Sequence, residues 1–246
     1  MVKSVPPRSD SVAIARAVLA ATAWFPGRAG PDPSHHMLWT GAFAARCRQL
    51  LSAMTTLVEH GEDDGVGALY RPLLETYLSG VFVLLGGDEA VEVLGRGLLH
   101  ITHEIDVALG LAEREDRPDE AKRLDVSDYK GKTGLVQRVD QLLAEQNDEY
   151  RGWATGIHRH HYRVLSLYDA HGGAGCLHRY LVTSPDGPVV QSARGTPEIA
   201  ILYLQHAIAL VTGLAGLWGV RAGQEVSELV DVEQRWREMQ PEEWGC

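Results

Sequence analysis

Apolar residues recur three and four positions apart through most of this chain, while strict apolar-polar alternation is nearly missing, a pattern that predicts helices and few strands. The first predicted helix runs from Asp10, read as its N-cap, to about Trp24, where Pro26 and Gly27 stop it. Arg28 to Pro33 reads as loop. Ser34 is read as the cap of a helix reaching His60, followed by an acidic turn from Gly61 to Gly65. Asp64 or Gly67 opens a strongly apolar helix that stops at the Gly86-Gly87 pair, and Asp88 is read as the cap of the next one. That next helix spaces Val91, Leu94, Leu98, Ile101, Ile105 and Leu109 three and four apart. With no breaker seen before Pro118, it is expected to run to Asp116 or Arg117.

Asp116 to Gly134 mixes acids with bases and reads as an exposed connection with room for a short helix. Thr133 caps Leu135 to Gln146, and a further helix from about Asp148 to Ala170 closes at Gly172 and Gly173. Ser-Pro-Asp-Gly-Pro and Arg-Gly-Thr-Pro make Thr183 to Pro197 a loop, with at most a small hairpin through Val189 and Val190. Thr196, Pro197 and Glu198 then supply cap, first-turn proline and first-turn acid for a long apolar helix. Ile199 to Val220 holds no formally charged residue and is long enough to cross a bilayer. Gln205 and His206 side by side, with Ala209, Gly213 and Gly216 as sites of close helix contact, fit a buried helix and no membrane span. Gln224 to Met239 forms one last amphipathic helix. The expectation is an all-α single domain over residues 1–246. It is a multi-helix bundle with its core at about 10–220, a Gly/Pro-rich loop before the long apolar helix, and a tail at 221–246.

Composition narrows this further. An apolar share of 45% excludes wholesale disorder. Cys47, Cys176 and Cys246 are scattered and form no C-x-x-C, which excludes a disulfide scaffold or zinc ribbon and fits reduced, cytoplasmic thiols. Cys246 is the last residue, so no prenylation box is present. The first ten residues are short and polar, and Arg16 interrupts the apolar stretch after them, unlike a signal peptide. With 33 acids against 23 bases the net charge is −10, which disfavours nucleic acid as a partner. A local patch around Arg151, Arg159, Arg163 and Arg179 with nearby histidines is where RNA could still bind.

Three groups of residues could carry chemistry. Arg71 and Glu75 are the only charged residues between Asp64 and Asp88, and stand four apart on an apolar helix, where they can pair. Burying such a pair costs several kcal/mol per ion before pairing returns it. It therefore marks either an internal polar network that fixes helix register or a site facing a pocket, with Pro72 starting or kinking the helix there. Five of the 11 histidines fall between His158 and His178. On a helix, His158, Tyr162 and Ser166 share one stripe, and His171, just before two glycines, sits near a helix C-terminus that favours the protonated imidazole. His171 reads as a general acid or phosphate contact, or as a half-buried histidine bonded to carbonyls. His100, His103 and Glu104 make a weaker, metal-capable cluster that lacks the H-E-x-x-H order. Lys130-Gly-Lys-Thr-Gly134 lacks the first glycine of a phosphate loop, Gly172-Gly-Ala-Gly175 reads as a helix stop, and no G-x-S-x-G is present. No cofactor is implied.

The order Arg71-x-x-x-Glu75, Tyr162-x-x-Leu-Ser166, His171, Gly/Pro loop and long apolar helix resembles an uncharacterised bacterial all-helical family of unknown function, over about Val66 to Val220. That resemblance implies convergence of Arg71, Glu75, Tyr162, Ser166 and His171 between helices. A looser similarity is to the HEPN helical superfamily, whose active members cut RNA with an Arg-x(4 to 6)-His motif that Arg151 to His158 fits. It implies a metal-independent ribonuclease of toxin or antiphage type, with His171 or His158 as acid/base and Arg71 or Arg163 on the scissile phosphate. Three functions follow as expectations. One is a cytoplasmic protein binding a small molecule or protein partner through Arg71, Glu75 and the segment of Tyr162, Arg163, Ser166 and His171. The second is that ribonuclease. The third is an oligomeric module in which glycine-faced apolar helices pair two copies as a homodimer.

Overall fold

The computed structural model describes residues 5–24, 34–119, 131–159, 181–184, 187–190 and 197–240. Among them the periodic apolar segments are helices: α1 (Arg8–Ala21), α2 (His35–His60), α3 (Val66–Ala108), α4 (Gly131–Gln146), α5 (Trp153–Ile157), α6 (Pro197–Arg221) and α7 (Ser227–Met239). The protein is all-α, as the periodicity predicts. The small hairpin is present too, β1 (Leu181–Ser184) antiparallel to β2 (Gly187–Val190), with Val182 opposite Val189.

Glycines decide where the chain turns. Gly61 takes φ +76° after α2, and Glu62 N–H reaches back to the Leu57 carbonyl at 2.9 Å, the doubled-back bonding of a Schellman stop. Gly87, at φ +66° and ψ −152°, is the one non-helical residue inside α3 and kinks it, where the sequence predicts a stop. Pro72 leaves the helical dihedrals of α3 undisturbed. The helix ends at Ala108, short of the expected 116 or 117, because Gly110 at φ +70° lets Leu111 N–H close onto the Asp106 carbonyl at 2.8 Å. The helix expected from Asp148 begins instead at Trp153. Gly152 turns at φ +78°, and the Asp140 carboxylate on α4 accepts from the N–H groups of Ala154 (2.7 Å) and Thr155 (3.1 Å). Residues 160–170 of that expected helix lie outside the described residues. At the N-terminus the first helix starts at Arg8, two residues before Asp10, with the Pro7 carbonyl accepting from Ser11 N–H.

The core is built where α2, α3 and α6 pack on one another, with α1 laid over α2 and α6 and α4 against α3. Leu51, Met54, Leu73, Leu74, Leu204, Leu214 and Trp218 are enclosed there. Gly80 permits a close approach of α3 to α6: a Cβ on it would stand 2.7 Å from Leu214 Cδ2. Gly213, expected from sequence at such a contact, has nothing within 4 Å of an added Cβ, and Gly216 meets only Leu229. The apolar cluster runs from Val12 to Val232, so α7 adds Leu229 and Val232 to a core that the sequence ended near 220.

Candidate functional site

Helix α6 shows first how this core treats polar groups. It is the one described helix long and apolar enough to cross a membrane, with a mean hydropathy of 1.7 and 67% of that window buried within the chain. Gln205, fully enclosed on it, donates to Ser11 Oγ (2.8 Å) and accepts from Trp236 Nε1 (2.7 Å) and Gln240 Nε2 (2.8 Å). One buried amide thus joins α1, α6 and the end of the chain, its hydrogen bonds made within the protein. Trp218 likewise donates Nε1 to the Met37 carbonyl at 2.7 Å while stacking on Trp24.

The Arg71–Glu75 pair forms as its spacing predicts. Arg71 Nε donates to Glu75 Oε1 at 3.3 Å, and the side chains keep 18% and 36% of their exposure, so the pair is half-buried. It lies on a polar stripe of α3 with Thr76 and Ser79. Both hydroxyls there donate to carbonyls of their own helix, Thr76 to Pro72 at 2.6 Å and Ser79 to Glu75 at 3.0 Å. The neighbouring Tyr70 is buried, stacked on Tyr203 of α6 with ring centroids 5.0 Å apart, and His206 lies 6.3 Å from it. Tyr77 is buried against Trp153. Burial pushes both phenols well above the ordinary tyrosine range, so neither ionises at neutral pH. Burial raises the Cys47 thiol in the same way; it sits in the core with Sγ directed at the Leu73 carbonyl and is not a nucleophile.

Tyr162, Arg163, Ser166 and His171 lie outside the described residues, as do Cys176 and Cys246. His158 is half-buried just past the end of α5. Arg151, its HEPN-type counterpart, stands in an exposed turn and donates Nε to Asp148 at 2.9 Å. The metal-capable cluster does not converge. His103 is buried, Glu104 is exposed, and His100 Nδ1 is engaged by the Arg117 guanidinium. Neighbours in sequence stand about 100° apart around a helix, so positions 103 and 104 address different surroundings. Among the described residues no three metal-binding side chains come together.

Two features went unread in the sequence. An apolar groove of about 490 Å³ opens between α6 and α7, lined by Gly213, Gly216, Leu217, Val220, Leu229 and Val230, where the small residues face outward. A smaller cleft of about 240 Å³ lies beside the kink of α3, between Glu89 and Val93 on one side and Arg138, Gln141 and Glu145 of α4 on the other. No signal short of the helix packing could have placed them. Comparison with protein-family models, with curated proteins and with solved structures finds no match to any of them.

Proposed function

We propose that this is a helical binding protein of the cytoplasm, whose polar site on α3 takes a small anionic ligand or the acidic group of a partner. One observation carries the reading: Arg71 and Glu75, the only charges between Asp64 and Asp88, stand half-buried on an otherwise apolar helix, with Arg71 Nε donating to Glu75 Oε1 at 3.3 Å. A guanidinium in that setting is suited to forked hydrogen bonding with a carboxylate or phosphate, which its glutamate neighbour orients. Ribonuclease chemistry draws less support, because Arg151 is held by Asp148 at the surface and the net charge of −10 repels a polyanion.

Thermal denaturation in the presence of phosphate and of small di- and tricarboxylates tests it. A ligand near one hundred times its Kd adds about 2.7 kcal/mol, hence a rise of roughly 5–10 °C in Tm for a chain of this size. The rise is expected in the wild type and absent in Arg71→Met, which keeps the apolar stem. If no anion shifts the wild type and Arg71→Met is destabilised, the pair serves helix register alone and the proposal fails.

A further inference from the structure

We propose that the distal half of α3 is a self-association surface, which pairs with the same helix of a second copy of this chain. Beyond the Gly87 kink, Ala90 and His103 of this helix are buried, and Val91, Val93 and Leu94 pack against the core. The side opposite His103 carries Leu98, Ile101, Ile105 and Leu109, each more than half exposed. With Ala108 after them, residues 98, 101, 105 and 108 alternate steps of three and four, the a and d spacing of a heptad seam, while Val91 and Leu94, earlier in the same register, pack against the chain's own core. At 100° per residue, about 160° of the helix surface centred on this seam holds no charged residue. In a chain that is 23% charged, an exposed face that wide and that apolar is not a solvated one.

Area and shape select a second copy as the occupant. The four exposed aliphatic side chains and their flanks offer on the order of 400–500 Å², close to the apolar part of the roughly 800 Å² that each partner contributes to a stable interface. A heptad seam is complementary to an identical seam, because knobs from one helix enter holes of the same spacing on the other. Gly95 and Gly97 border the face, and an added Cβ would touch nothing within 4 Å at either. The chain's own packing gives no reason for two helix-weakening glycines there, whereas a neighbouring helix gains close approach from them. Antiparallel pairing opposes the helix dipoles and holds the two acidic bodies at opposite ends. The rims of the face are acidic, Glu104 on one side and Asp106 on the other, which is unfavourable for an anionic bilayer.

Sedimentation equilibrium of the full chain, from nanomolar to tens of micromolar, decides the matter. A dimer of twice the 27.0 kDa chain mass is expected for the wild type. Leu98→Glu with Ile105→Glu should weaken it by about a hundredfold or more, since the new carboxylates would be desolvated without partners. Circular dichroism should be unchanged, as both sites are exposed in the single chain. Should that double variant lose helicity, Ile101→Arg is read in its place and must give the same loss. A monomeric wild type, or a dimer that persists in the folded variant and dissociates only with Leu217→Glu in the α6–α7 groove, overturns the proposal.

Discussion

At the scale of single residues, glycine shows how differently one residue type is used. Gly80 stands where α3 meets α6, and an added Cβ would fall 2.7 Å from Leu214 and 3.1 Å from Phe43. Gly213 is equally helical, equally surrounded by apolar sequence, and opens onto empty space. Gly80→Ala is therefore expected to destabilise by about 1–3 kcal/mol through overpacking. Gly213→Ala is expected to stabilise by up to about 1 kcal/mol, through helix propensity alone. Urea denaturation of the two variants measures both, and equal signs would contradict the packing described. Arg71 and Glu75 belong to this scale too. Their pairing was legible because four residues along a helix bring side chains together, but their degree of burial was not, since the elements that cover them come from elsewhere in the chain.

At the scale of elements, the kink in α3 organises its neighbours. From its place in the sequence Asp88 is expected to cap the helix that follows it. Its carboxylate instead accepts from His36 N–H at 3.0 Å, with the His36 ring nitrogen also 3.0 Å away, and so closes the first turn of α2. Helix α2 has no acid in its own first turn, and Ser34 makes no side-chain bond to the backbone there. On the other side of the kink, the Leu84 carbonyl, which an unbroken helix would pair with Asp88 N–H, accepts from Arg221 Nη1 at 2.7 Å. The hydrogen bonds from the His36 ring and backbone hold the Asp88 carboxyl below the usual carboxylate range. A depressed folded pKa stabilises the native state above the unfolded value near 3.9, and that stabilisation is lost as pH falls through the lower folded value. The His36 amide shift in an NMR titration should follow a midpoint below about 3.9 and lose that midpoint in Asp88→Asn. A midpoint at or above that value would show that the cap does not exist in solution.

At the scale of the molecule, the first and last described helices meet. Helix α1 packs against both α6 and α7, and Gln205 binds Ser11 from the first helix and Trp236 from the last. The tail is thus part of the core. Deleting the chain after Gly223 strips Gln205 of two donors and uncovers the surface packed under Leu229 and Val232. A loss of about 3–5 kcal/mol in urea denaturation is expected from buried apolar area and an unsatisfied amide. Stability within about 1 kcal/mol of the full chain would place α7 outside the folded unit.

The sequence alone determined the helical class, most helix positions, the stop at Gly61 and a break near Gly87, because periodicity, capping and positive-φ glycine are local properties of a chain. It also determined that Arg71 would meet Glu75. Tertiary structure decided the partners of the isolated polar groups: Asp88 on another helix, Arg221 on a freed carbonyl, Asp140 on the start of α5, Gln205 between the first and last described helices. It also decided which apolar face would be covered and which left open. Burial is a property of pairs of elements, and the same three-and-four spacing in α3 is enclosed before the kink and exposed from Leu98 to Leu109.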